Sequence, residues 1–267
     1  MASDGVIASV IKGERDTLDV VGARFDRVAL RRNLFLNSVP KSGTHLIRNI
    51  IRMFVPEEQQ FHKTYIQIPN LHLCAEAFRS PTARVSWGHL LFSDESVLAL
   101  KGARHVLLVR DPYDWVLARA RFFLSDEFNG NLDHIKHGAV STEEALNMMI
   151  MGIHQKSPGL LDIYTHNAVA WMGTSAVIVR YEDVLAAVND VHSRAAERFF
   201  SRLFGDCGLD MAPDWQERVL AGSDRKQSRT ARENLNVGVE IPDTLPDAQK
   251  RLVDFCAPGL RALLGYR

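Results

Sequence analysis

Five consecutive residues, Lys41, Ser42, Gly43, Thr44 and His45, bring together a cation, a glycine and three side-chain hydrogen-bond donors, directly after a short apolar run and Pro40. A strand that enters a tight glycine-containing turn at a helix N-terminus aims several backbone N–H groups and the positive end of the helix dipole at one point. That point suits a phosphate: Lys41 would add a full charge, and Ser42, Thr44 and His45 would add donors. The segment is not a Walker A loop, in which two glycines are followed directly by the lysine, because Lys41 precedes the glycine here. An ordinary strand-to-helix turn capped by Ser42 or Thr44 is the plainer alternative. Arg110 closes the apolar run 106–109, and an arginine ending a buried strand is costly unless it meets an anion. An ion pair with Asp111 or Asp114 would serve equally. His89, just after Trp87 and Gly88, is one of ten histidines; imidazole takes a proton near neutral pH, but a structural histidine beside Trp87 fits as well. Residues 225–232 form a basic cluster that is either an anion site or a solvated helix face.

The elements that would have to position these groups can be read from the pattern. Leu34-Phe35-Leu36 within residues 33–39, and residues 106–109 and 176–179, are short apolar runs of the kind buried in a parallel sheet. After the first, Leu46, Ile50 and Phe54 with Ile47 and Ile51 recur at helical spacing, and Arg48 and Arg52 fall one turn apart on the other side. After the second, Asp111 can cap a helix whose first position is Pro112 and whose third is Asp114. Widely spaced strands alternating with helices require crossovers, so the expected class is α/β, a central parallel sheet flanked by helices with a strand-loop-helix phosphate site. Residues 122–173 look mostly helical and suit a lid or acceptor wall, and residues 246–265 read as an amphipathic helix broken near Pro258. Residues 1–32 are expected to be an N-terminal extension packed on the outside, and residues 33–267 a single domain.

Read together, these segments resemble a known family. Residues 40–44, Pro-Lys-Ser-Gly-Thr, look like the 5′-phosphosulfate loop of the sulfotransferases that use 3′-phosphoadenosine 5′-phosphosulfate (PAPS), usually written PKSGTTW. Residues 106–114 resemble the strand-to-helix element of that family which holds the 3′-phosphate, and residues 179–183, with Tyr181, are similar to its YED segment near the adenine. The resemblance covers roughly residues 33–265. It implies that Lys41, Ser42, Gly43, Thr44, His45, Arg110, Tyr181 and Arg232 bind the donor, and that Lys41 and His89 are catalytic, His89 as the general base that cytosolic members carry between the first two motifs. Several positions depart from the pattern. Ala118 stands where a serine commonly touches the 3′-phosphate, His45 and Leu46 replace the second threonine and the tryptophan, and Glu233 and Asn234 replace a lysine and a glycine. Arg232 is the best match to the C-terminal phosphate-binding arginine, and Arg225 or Arg229 could substitute for it.

The bulk properties narrow the field further. With 32 basic and 32 acidic residues there is no global field to draw the chain to nucleic acid or an anionic membrane, so any anion site must be local. No apolar stretch approaches membrane-spanning length, and three scattered cysteines suit free thiols in a reducing compartment, which points to the cytoplasm. His134, His137, His154 and His166 lack a carboxylate or cysteine at ligand-like spacing, so no metal is expected. The acceptor is expected to be a partly apolar small molecule bordered by residues 61–77 and 122–151, and a homodimer is compatible with the sequence. A small-molecule kinase and a non-catalytic nucleotide-binding protein are the competing readings. The first needs an acid at the end of the second strand, where Arg110 stands; the second would have no use for His89.

Overall fold

The structure is a computed structural model that describes residues 10–11, 16–228 and 231–267. The chain forms two compact units, one made of Asp16–Asp111 and Ile163–Gln227, the other of Pro112–Asp162 and Ser228–Arg267 with the described residues before Asp16.

The first unit is built on a four-stranded parallel sheet: β1 (Leu34–Ser38), β2 (Val85–Gly88), β3 (Arg104–Val109) and β4 (Ala176–Arg180), in the order β2-β1-β3-β4. Leu36 of β1 lies opposite Trp87 on one side and Val106 on the other, and Val106 in turn faces Val177. β1 is central and every one of its five residues is buried, which is why it reads as an apolar run and not as an alternation. Three strands fall on the runs expected from the sequence. β2 was not among them, because it has four residues and Ser86 and Gly88 interrupt its apolar character.

From β1 the chain turns at once into helix α1 (Thr44–Arg52). Ile47, Ile50 and Ile51 are at most 1% exposed and pack into a core with Phe200 and Phe204 of α3 (Arg194–Cys207) and Trp215 and Val219 of α4 (Trp215–Ser223), together with Val184 of α2 (Tyr181–Asn189). Each such apolar side chain contributes about 1.5–3 kcal/mol on leaving water. Leu18, Phe25 and Leu30, in the segment expected to lie outside, belong to this core. Arg52 differs from expectation too. It is 2% exposed, donating to Asp16 Oδ2 at 3.0 Å, Asp19 Oδ1 at 2.7 Å and Gln60 Oε1 at 3.1 Å. Helical spacing placed it opposite the isoleucines, and the segment 16–22 covers that face with the carboxylates a buried guanidinium needs.

The second unit holds the helices Pro112–Phe123, Thr142–Met151 and Asp247–Cys256. The first begins at Pro112 as its sequence dictates, and the second opens on a capping box in which the Ser141 hydroxyl accepts from Glu144 N at 3.1 Å and Glu144 Oε2 accepts from Ser141 N at 2.8 Å. Arg119 is buried without a carboxylate partner among the described residues. It donates to the Met149 carbonyl at 2.9 Å, the Ser157 hydroxyl at 2.5 Å and the Pro158 carbonyl at 2.7 Å, tying the end of the second helix to the turn that follows it. Less of residues 122–173 is helical than the pattern suggested: residues 124–140 are mostly turns, with Phe128–Asn129 paired to Val10–Ile11. The C-terminal helix breaks before Pro258 and resumes at Leu260–Leu263. Among the described residues no helix is long and apolar enough to cross a membrane.

Candidate active site

Because β2 lies on one side of β1 and β3 on the other, the strand order reverses at β1, and the crevice beyond the carboxyl ends of the strands at such a reversal is where open α/β sheets bind ligands. Four expected site residues follow those ends: Lys41 three residues after β1, and His89, Arg110 and Tyr181 directly after β2, β3 and β4. The sheet thus gathers residues that are 140 positions apart in the chain.

The loop after β1 is tight. Ser42 N donates to the Val39 carbonyl at 3.1 Å, and Lys41 and Gly43 both have left-handed backbone, with φ of 69° and 93°. For lysine that conformation carries strain, tolerated where surrounding structure fixes it and common at functional sites. At Gly43 it is required twice over, since a Cβ there would overlap the Tyr181 ring. Gly43 heads α1 with no side-chain cap, so the plainer alternative, a turn capped by Ser42 or Thr44, does not describe this loop. The amides of Gly43, Thr44 and His45 have no hydrogen-bond partner among the described residues, and neither has the fully buried Ser42 hydroxyl. Buried donors left this way are expensive unless a ligand meets them.

Arg110 points to the same place. Its guanidinium lies 4.7 Å from the centre of the Tyr181 ring and Nη1 reaches the Lys41 carbonyl at 3.5 Å, while its buried Nε has no partner among the described residues. Neither Asp111 nor Asp114 forms a salt bridge with it. The carbonyl of Arg110 accepts from Tyr164 Oη at 2.8 Å, and the Asp111 amide donates to Glu182 Oε1 at 3.0 Å, fixing the end of β3 against α2. Burial and the neighbouring Arg110 charge push Lys41 down to about 7. Two cations that repel each other in a buried place form a site that an anion would relieve.

His89 is held from several sides. Its amide donates to the Ile66 carbonyl at 3.0 Å, close enough to β2 that a Cβ on Gly88 would overlap that carbonyl. Buried Asn37 brackets the next residue, with Oδ1 accepting from Leu90 N at 2.9 Å and Nδ2 donating to Leu90 O at 3.0 Å. The ring nitrogen Nδ1 lies 3.1 Å from the Ser38 carbonyl and 3.0 Å from the Ser38 hydroxyl. A carbonyl can only accept, so Nδ1 carries the proton and Nε2 keeps its lone pair. Among the described residues Nε2 has no partner. Burial, with the Lys41 charge adding to it and the Ser38 hydrogen bond opposing, pulls His89 down to about 4, so the ring is neutral at pH 7. The Ser38 hydroxyl, accepting from His89, turns its own proton toward Thr44 Oγ1 at 2.5 Å, which joins the loop to the base. His45 contacts Tyr65, whose Oη lies 3.0 Å from Nε2.

Lys41, Ser42, Gly43, Thr44, His45, His89, Arg110 and Tyr181 therefore lie in one unit around the sheet's carboxyl edge. Arg232 lies in the other unit, in the turn Arg232–Asn234, and pairs with Asp243 at 2.6 Å. Arg225 is exposed in the turn Arg225–Gln227, and Arg229 falls outside the described residues. Ser38, Asn37 and Tyr65 were missed from the sequence. The signal available was the polar pair Asn37-Ser38 closing an otherwise apolar strand. Among the described residues, Asp19, Glu57 and His62 place ligand atoms within 4.8 Å of one another, and Asp19 is already engaged by Arg52.

No family model matches the sequence, and neither does any curated protein. Solved structures do match. A mouse sulfotransferase, SULT7A1, complexed with PAP superposes with a TM-score of 0.59 at 16% identity, covering 92% of this chain and 91% of that one. A retinol dehydratase in complex with androsterone and inactive cofactor PAP superposes with a TM-score of 0.51 at 12% identity, covering 88% and 82%. The chain has the sulfotransferase fold, an α/β architecture with a central parallel sheet flanked by helices.

Proposed function

We propose that the chain is a PAPS-dependent sulfotransferase that moves a sulfuryl group to a hydroxyl or amine of a small-molecule acceptor by in-line transfer. One observation carries the reading: at the sheet's point of strand reversal, the unpartnered amides 43–45, the Ser42 hydroxyl and Arg110 Nε gather beside Lys41, facing a neutral histidine with a free lone pair. The loop residues and Arg110 fit a ligand with separated anionic groups, and Tyr181 offers a ring beside Arg110. The structural neighbours were crystallised with PAP, and one of them with a steroid, which favours this donor and a small apolar acceptor.

PAPS, when bound, supplies a sulfuryl group on a phosphate leaving group. His89 Nε2 takes the acceptor's proton as its oxygen or nitrogen approaches sulfur, and Nδ1 stays tied to Ser38 so the ring keeps its orientation. Lys41 and the loop amides stabilise the charge that grows on the departing oxygen, and an anion beside Lys41 raises its pKa again so that it acts as the ammonium. Lys41 is a full charge at the leaving group, so no divalent ion is invoked. We further propose a cytoplasmic protein with residues 33–267 acting as one catalytic domain.

The test is transfer from labelled PAPS to a panel of phenols, alcohols and amines, with His89→Ala alongside. Turnover by the wild type and a loss of about 10²-fold or more in the variant, with PAP affinity retained, is the expected result. Stabilisation by ATP with Mg²⁺ and none by PAP would favour phosphoryl transfer instead.

A further inference from the structure

His45 occupies the second position of α1, and its role depends on which ring nitrogen carries the proton. Burial and the surrounding cations Arg48 and Lys41 push it down to about 3, so the ring is neutral and has a single N–H to give. Nε2 lies 3.0 Å from Tyr65 Oη, and Nδ1 has no partner among the described residues. If Nε2 held the proton, Nδ1 would present a lone pair to any anion at the loop, which repels. Tyr65 decides between the two forms. Burial raises its pKa, with Arg48 opposing, so the phenol keeps its proton. The Arg48 guanidinium, 6.0 Å from the ring centre, can only donate, so its charge favours the phenol oxygen turning its lone pairs that way and its proton toward His45. Tyr65 also packs on His45 at 5.5 Å and on His89 at 5.7 Å between ring centres, which holds its hydroxyl in place.

We propose that Tyr65 is a positioning residue: its O–H donates to His45 Nε2 and thereby fixes the His45 proton on Nδ1, making that ring a hydrogen-bond donor to the anion held by residues 41–45. The proposal rests on the phosphosulfate reading of the loop and deepens it, because it supplies the donor function at a position where the sequence departs from a second threonine. It also explains how a histidine surrounded by cations serves there, since it acts as a neutral dipole oriented by a phenol and not as a charge.

Nitrogen-15 spectra of histidine-labelled protein read the tautomer directly. His45 should show a protonated Nδ1 and a bare, hydrogen-bonded Nε2 in the wild type, and a mixture in Tyr65→Phe, a variant that keeps the ring packing. PAP should bind Tyr65→Phe about two-fold more weakly, the cost of selecting one tautomer from a mixture. His45→Ala, which removes the hydrogen bond itself, should lose about ten-fold, and the double variant should lose no more than His45→Ala alone, because Tyr65 acts only through His45. A wild-type His45 protonated on Nε2, unchanged PAP affinity in Tyr65→Phe, or additive losses in the double variant would overturn the proposal. A wild type that failed to bind PAP at all would overturn the phosphosulfate reading, and the nitrogen spectrum would still decide the tautomer.

Discussion

Two arginines near the β1–α1 junction show what separates a cation neutralised inside the protein from one proposed to meet a ligand. Arg52, at the end of α1, is 2% exposed and meets Asp16, Asp19 and Gln60, so its charge is cancelled inside the protein. Arg110, at the carboxyl end of β3, meets a tyrosine face and a distant carbonyl, and its buried Nε is left over. The same contrast runs through the basic residues generally. Arg218 lies 2.6 Å from Asp214 and Arg180 lies 2.8 Å from Asp183; Lys41, lowered to about 7 by burial and by Arg110, has a second cation close to it. In a chain with no net charge, Lys41 and Arg110 are buried close enough for their charges to oppose each other, which fits the proposed local anion site.

The largest effect expected of this contrast is on stability. Arg52→Ala leaves Asp16 and Asp19 without their buried partner and should lower unfolding free energy by about 3–5 kcal/mol in urea titrations, while Arg110→Ala should change it by no more than about 1 kcal/mol, the worth of its ring contact. Equal losses in both would erase the distinction. Next is Lys41→Ala, which should cut turnover by about 10²–10³-fold with the fold intact by circular dichroism; near wild-type turnover would remove the loop from the chemistry.

Smaller again is the effect of Arg110 on recognition. Thermal-shift titrations should show PAP binding far better than 5′-AMP, and Arg110→Ala should remove about ten-fold of that preference. The smallest effect concerns pH. Lys41 must be charged to hold an anion, and its free-state value of about 7 lies below its ordinary 10.5, so PAP binding takes up a proton above pH 7. Affinity should therefore weaken from pH 7 to 9 in the wild type, and that slope should flatten in Lys41→Ala. For Asp16 the sign is opposite. Burial raises its pKa, but the Arg52 hydrogen bond and charge outweigh that and hold it below 3.8, so its stabilisation is present above that pH and disappears as pH falls through the lower folded value. Asp16→Asn should remove this part of the acid sensitivity.

The sequence alone determined the local grammar. The apolar runs that become β1, β3 and β4, the turn 40–45 with its glycine, and Pro112 at a helix start are all set by short-range sterics and burial, so residue order suffices to read them. It also identified Lys41, Arg110, His89 and Tyr181 as the residues to watch. Only the tertiary structure decided which face of each is used. Parallel strands brought residues 38, 89, 110 and 181 to one edge, and that proximity exists because of crossovers no local pattern encodes. It fixed the proton of His89 through a backbone carbonyl, buried Arg52 under acids from a segment that looked peripheral, and set Tyr65 against His45. Hydrogen-bond direction and charge balance depend on distances of about 3 Å between groups far apart in the chain, and those distances are properties of the folded state.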